Sequence, residues 1–164
     1  MTLTAYLDGL QRRSSGACAA ANDTLYLFGG NYGAPWLSLQ EEYALPSCGT
    51  CFDQDNAAVS FGVGGLLSGV SWHRHGPGFS EVLHGAKRWF LLPPSGPVGM
   101  HDFDANQSVA EWVVSGLENL RSDAGLQHCT IVPGELIYFP HNWPHATLNL
   151  EPYTSFASTF LIDG

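Results

Sequence analysis

Residues 58–92, which read AVSFGVGGLLSGVSWHRHGPGFSEVLHGAKRWFLL, decide the fold. Short runs of apolar, β-branched and aromatic residues alternate here with Gly, Pro and Ser, which is the pattern of strands separated by turns. Similar runs recur near the C-terminus, so that eight strands are predicted: residues 58–63, 66–72, 79–84, 87–92, 128–132, 135–139, 145–150 and 154–162. Eight short strands of this kind are typical of a double-sheet jelly roll. We therefore predict an all-β fold.

A few helices are expected to flank and interrupt this barrel. Leucines at helical spacing predict an amphipathic helix over about residues 3–13. Pro35 suits the first position of a second helix that continues over residues 36–43. An insert at about residues 108–120 opens with a capping-box pattern and carries an apolar stripe, which predicts a third helix.

The length and composition indicate one globular domain. The chain has 164 residues, of which 45% are hydrophobic and 13% are charged, and this balance excludes a disordered tail or a coiled coil. We predict a single domain over residues 1–164, with an N-terminal helical segment at 1–23 and a barrel at 24–164.

The charge of the chain limits its partners. Six basic residues against fifteen acidic ones give a formal net charge of −9, which disfavours binding to a nucleic-acid backbone. No apolar run is long enough to cross a bilayer, so membrane insertion is not expected. The oligomeric state stays open.

Three histidines are the candidate metal ligands. His73 and His75 come directly after the predicted strand 66–72, and if that strand continues through them, their spacing of two positions places both side chains on one face. His145 opens a later strand after a proline-bounded turn, and a jelly roll can bring it to the same place. The alternative is that these are ordinary core or surface histidines, because four others occur in the chain.

Two longer motifs carry a family resemblance. Residues 73–94, HRHGPGFSEVLHGAKRWFLLPP, and residues 133–150, PGELIYFPHNWPHATLNL, resemble the JmjC-domain proteins. These are cupin-fold oxygenases that depend on Fe(II) and 2-oxoglutarate. The resemblance runs from about residue 24 to residue 162 and is strongest to small JmjC-only members from the endoplasmic-reticulum lumen of animals.

The resemblance implies roles for the three histidines. His73 matches the first iron ligand of the family and His145 the distal one, while His75 stands where most members have Asp or Glu. Three neutral imidazoles leave the full charge of a divalent ion in place, and they suit Zn or Ni at least as well as Fe.

The resemblance also implies a cosubstrate site. Lys87 matches the lysine that pairs with the distal carboxylate of 2-oxoglutarate, and Ser80 and Thr159 fall near polar cosubstrate positions. A buried lysine without an anion beside it is costly. The alternative is that Lys87 extends to solvent from its hairpin.

The expected function is that of a Fe(II)/2-oxoglutarate-dependent oxygenase that hydroxylates a protein side chain. One alternative is a catalytically silent, metal-binding JmjC scaffold, which the histidine at position 75 favours. Another is a three-histidine dioxygenase that uses no 2-oxoglutarate. Either way, the expected partner is a protein.

The state of the cysteines depends on the compartment in which the protein works. The resemblance implies the endoplasmic-reticulum lumen if a signal peptide has been removed, and otherwise the cytoplasm is expected. In an oxidising lumen Cys48 and Cys51 could form a disulfide. Free thiols and a metal-bound pair stay open as alternatives.

Overall fold

The computed structural model describes residues 2–14, 26–29, 33–46, 57–104, 106–121 and 124–161. The predicted pair Cys48 and Cys51 lies outside the described residues. Residues 24 and 25, where the predicted barrel begins, also lie outside them.

The described residues form two antiparallel sheets. The nine strands are β1 (Tyr26–Leu27), β2 (Ala57–Gly64), β3 (Gly69–His73), β4 (Gly78–His84), β5 (Lys87–Leu91), β6 (Gln127–Ile131), β7 (Leu136–Phe139), β8 (His145–Asn149) and β9 (Thr154–Leu161). The major sheet has the order β1-β2-β9-β4-β7 and the minor sheet the order β3-β8-β5-β6. The chain crosses from one sheet to the other at almost every connection, which is jelly-roll topology. The predicted all-β fold is confirmed.

Within the described ranges, four α-helices accompany the sheets: α1 (Leu3–Ser14), α2 (Ala34–Glu42), α3 (Val109–Ser115) and α4 (Leu117–Arg121). The Oγ of Ser108 accepts a hydrogen bond from the backbone N–H of Glu111, whose carboxylate accepts one from the backbone N–H of Ser108. This is the predicted capping box. The insert is two helices rather than one, because α3 ends at Gly116.

The core lies in two layers. Between the sheets, Val82 and Phe139 of the major sheet pack against Trp89 and Leu91 of the minor sheet. On the outer side of the minor sheet, the helical insert covers a second apolar cluster that includes Trp112. Strand β8 is therefore buried at every position, since one face meets the barrel interior and the other meets the insert. The interior-facing residues of β8 begin with His145, which places it inside the barrel.

Candidate metal centre

His73, His75 and His145 converge at one end of the barrel interior. His73 is the last residue of β3, His145 is the first of β8, and the two are paired across the minor sheet. Their ring centroids are 4.2 Å apart, and the His75 ring lies 4.7 Å from that of His145. One nitrogen from each ring can be chosen so that all three lie within 4.8 Å of one another.

His75 reaches the cluster from a loop. We predicted that it shares a strand with His73, but β3 ends at His73 and its register is irregular after Val70. The expectation of a continuous strand is wrong because the pairing with β8 ends at His73 and residues 74–77 form a loop, in which the carbonyl of Gly76 contacts the ring of His75. The predicted convergence of the two imidazoles nevertheless holds.

Backbone carbonyls fix the ring orientation of all three histidines. The Nδ1 atoms of His73, His75 and His145 each lie 2.8 Å from a carbonyl oxygen, those of Ser71, Gly76 and Trp143 respectively. A carbonyl oxygen can only accept, so each neutral ring carries its proton on Nδ1. Each Nε2 is then left with a free lone pair, which is the arrangement that metal-binding histidines adopt.

The Nε2 atoms of His75 and His145 are 3.1 Å apart. Two lone pairs at this distance repel each other unless a proton or a cation lies between them. Two nitrogens bound about 2.1 Å from one ion at right angles are themselves separated by about 3 Å. The donor set therefore fits a divalent metal.

Burial keeps the rings of His73 and His145 neutral. Loss of hydration lowers the pKa of His145 to about 3, and the adjacent His73 adds to this shift. Burial likewise lowers the pKa of His73. Protons therefore compete weakly for the Nε2 lone pairs near neutral pH, where metal ligation requires the neutral imidazole.

Lys87 lies in the same interior, at the start of β5, and is 1% exposed. The alternative that this lysine extends to solvent is therefore excluded. Its Nζ donates to Tyr26 Oη at 3.1 Å and to Asn149 Oδ1 at 3.2 Å, and it sits 3.9 Å from the centroid of the Phe156 ring. Burial lowers the pKa of Lys87 to about 7.

One cavity joins the histidines to Lys87. It is lined by all four residues and by aromatic rings that include Trp89. Its volume is about 30 Å³, which leaves room for about one or two water molecules. Among the residues that the structure describes, the buried indole N–H of Trp89 has no hydrogen-bond partner.

The two predicted polar contacts do not line this cavity. Thr159 lies between Ser158 and Phe160, which do line it, so alternation along β9 places Thr159 on the outer face of the major sheet. Ser80 does not line the cavity but contacts Ser158, which does. Ser158 Oγ donates to Ser80 Oγ at 3.0 Å, and Ser80 Oγ donates to the carbonyl of Ala157 at 3.2 Å.

Sequence reasoning missed Ser158 and Phe156 as lining residues. The only available signal was their shared face on the last predicted strand, two positions apart. Which face points inward depends on the register with β2 and β4, and the strand sequence alone leaves that register open.

In the part of the chain that the structure describes, no helix combines the length and apolar character needed to span a membrane.

Comparison with known proteins identifies the relatives of the chain. It is 46% identical over 143 residues to JmjC domain-containing protein 8 of Mus musculus, and 45% identical over 140 residues to the protein of that name from Homo sapiens. Each alignment covers 85% of this chain and about half of the relative (50% and 51%). A lysine-specific demethylase of Arabidopsis thaliana is 29% identical over 162 residues, which cover 85% of this chain and 17% of that protein.

No family model matches the chain. Among solved structures, oxalate decarboxylase of Bacillus subtilis aligns with 65% of this chain and 21% of its own, at a TM-score of 0.45 and 17% identity. The relatives at 45–46% identity are named as JmjC domain-containing proteins and align with 85% of this chain. The chain is thus a member of the JmjC-domain proteins by homology over 85% of its length.

Proposed function

We propose that the chain is a metal-dependent oxygenase of the JmjC type. His73, His75 and His145 would hold Fe(II), and Lys87 would receive a carboxylate of 2-oxoglutarate. The observation that carries the proposal is the single cavity that joins three imidazoles to one buried ammonium. A cation satisfies the lone pairs at one end, and a carboxylate can replace a neutral partner of the ammonium at the other.

The metal half of the proposal rests on the three Nε2 lone pairs. When bound, Fe(II) would supply the oxygen activation that defines the family. The chain contributes the fixed orientation of the rings, through the carbonyls behind each Nδ1, and a wall of aromatic side chains that limits the access of water. Three neutral ligands also suit Zn and Ni, so the protein should bind these ions as readily as iron.

The cosubstrate half does not fit the cavity in this arrangement. A volume of about 30 Å³ cannot contain a five-carbon dicarboxylate. Binding of 2-oxoglutarate therefore requires side chains to move.

A protein side chain is the proposed substrate. Relatives named lysine-specific and arginine-specific demethylases, from Arabidopsis thaliana, support a protein target. The chain spans about half the length of the JmjC domain-containing protein 8 sequences that it matches, so the target of the whole protein is part of the proposal.

The test is the turnover of 2-oxoglutarate by Fe(II)-loaded protein in the presence of oxygen. We expect succinate to be released by the unmodified chain and by His84→Ala, which alters an exposed histidine outside the cluster. His73→Ala should release none above the metal-only background. Intact metal binding without succinate would contradict the oxygenase proposal.

A second candidate is a metal-binding JmjC scaffold without catalysis. The closed cavity and the histidine at position 75, in place of the usual carboxylate, favour this reading. Metal-dependent capture of a protein partner, retained when 2-oxoglutarate is omitted and when no succinate is formed, would support it.

A further inference from the structure

Phe156 occupies the approach to the Lys87 ammonium. The ring centroid lies 3.9 Å from Lys87 Nζ, closer than the ring of Tyr26 at 5.1 Å. A cation over an aromatic face is attracted by the negative face of the ring, and this attraction is strongest where water is excluded. With the hydroxyl of Tyr26 and the amide of Asn149, the ring gives Lys87 a set of partners that contains no anion.

Three neighbours hold the ring in this position. Phe156 is paired with Gly62 across the major sheet, and a Cβ at position 62 would overlap the Phe156 ring. Tyr26 stacks on the ring with centroids 5.9 Å apart, and Phe28 contacts it at 5.4 Å. Because Gly62 has no side chain, there is space for the Phe156 ring. Tyr26 and Phe28 then cover this ring.

The ring and a carboxylate cannot both use the cavity side of Lys87. Two partners of the ammonium are already fixed, and the ring covers a third direction at van der Waals distance. The remaining volume of the cavity, about 30 Å³, leaves no place for a carboxylate that carries a carbon chain. A ligand that reaches Lys87 must therefore displace Phe156.

We propose that Phe156 determines which ligands reach Lys87: its ring takes the place that a carboxylate needs, and its displacement opens the site. The identity of the carboxylate as 2-oxoglutarate rests on the proposed function, whereas the closure by Phe156 does not. In the closed arrangement the ring stabilises the ammonium, and in the open arrangement the carboxylate replaces it.

The first arm of the test uses the reactivity of Lys87 in metal-free protein. Lys87 is the sole lysine of the chain, so acylation of a side-chain amine reports on this position alone, with the terminal amine as an internal reference. Phe156→Ala should raise the acylation rate of Lys87 by about tenfold or more, because the apparent rate is proportional to the fraction of molecules in which Lys87 is accessible.

Phe90→Ala is the matched control, since it removes an equally buried ring from β5 that lies in the cluster under the insert, outside the cavity. It should leave the Lys87 rate unchanged. If Phe156→Ala fails to fold, Phe156→Leu keeps apolar bulk without a ring face and should give an intermediate rise. Equal Lys87 rates in a folded Phe156 variant and the unmodified chain would overturn the proposal.

The second arm measures the binding of 2-oxoglutarate with Zn(II), which holds the site without turnover. We expect Phe156→Ala to bind about tenfold more tightly than the unmodified chain. Equally tight binding by both proteins would overturn the role of Phe156 and leave the proposed function standing. Binding by neither, together with faster acylation in Phe156→Ala, would contradict the proposed function while supporting the closure.

Discussion

The two ends of the cavity differ in how their polar groups are satisfied. At the histidine end, the Nδ1 of each ring is hydrogen-bonded to a backbone carbonyl and the Nε2 is left with a free lone pair. At the Lys87 end, the ammonium meets a hydroxyl, an amide oxygen and an aromatic face. The first end is incomplete without a ligand, whereas the second is complete within the chain.

This difference separates two kinds of buried polar cluster. A cluster whose donors or acceptors repel one another, such as the Nε2 atoms of His75 and His145, has a free-energy cost that a bound cation removes. A cluster whose members satisfy one another has no such need, and a ligand must compete with the internal partners. The structure therefore favours metal binding more strongly than cosubstrate binding.

Removal of one imidazole should have the largest effect. His145→Ala deletes the most buried ligand, and we expect the affinity for Zn(II) or Ni(II) to fall by about a hundredfold or more, because two imidazoles seldom hold such an ion alone. Metal content after dialysis, by elemental analysis, measures the loss. His84→Ala is the control and should keep the metal. Unchanged metal content in both His145→Ala and His73→Ala would refute the site.

The sequence predicted most of the fold because turn residues mark the strand ends. Gly, Pro and Asn bound seven of the runs that became strands β2 to β9, and the Ser108 capping box is readable directly. The continuation of β3 to His75 was wrong, since a strand stops where its pairing stops, and the pairing with β8, which is a tertiary property, stops at His73.

The site was predicted to the extent that residue chemistry alone defines it. Three imidazoles have few uses together, so their convergence was foreseeable. The partners of Lys87 were not, because the charge of a lysine by itself suggests only an anion or solvent as its partner. The contact with Phe156 depends on the pairing of Phe156 with Gly62, which are far apart in the chain.

The burial of Lys87 lowers the free energy of unfolding by an amount that depends on pH. Burial lowers the pKa of Lys87 from an ordinary value of 10.5 to about 7, so between these values the unfolded chain binds more protons than the folded one. Stability should therefore rise with pH from about 7 to 9, by at most about 1.4 kcal/mol per pH unit.

Lys87→Met tests this cost, because it keeps an unbranched apolar side chain that is one atom shorter and removes the charge. Its free energy of unfolding, from denaturant titrations, should lack the rise between about pH 7 and 9 that Lys87 contributes. Above that window tyrosine ionisation in the unfolded chain works in the opposite direction, since burial raises the pKa of Tyr6 to about 12. Parallel pH profiles for the two proteins would show that Lys87 keeps its charge at no cost.

The smallest expected effect concerns protons released when the metal binds. His73 and His145 have lowered pKa values because they are buried, so both rings are already neutral near pH 7 and give up few protons to the metal. Calorimetric titration with Zn(II) in buffers of different ionisation enthalpy counts these protons. We expect less than about one per site at pH 7, and an affinity that falls by less than about tenfold between pH 7 and 6. A release of two or more protons would show that His73 and His145 are charged in the metal-free protein, so that a metal would have to displace protons from both rings.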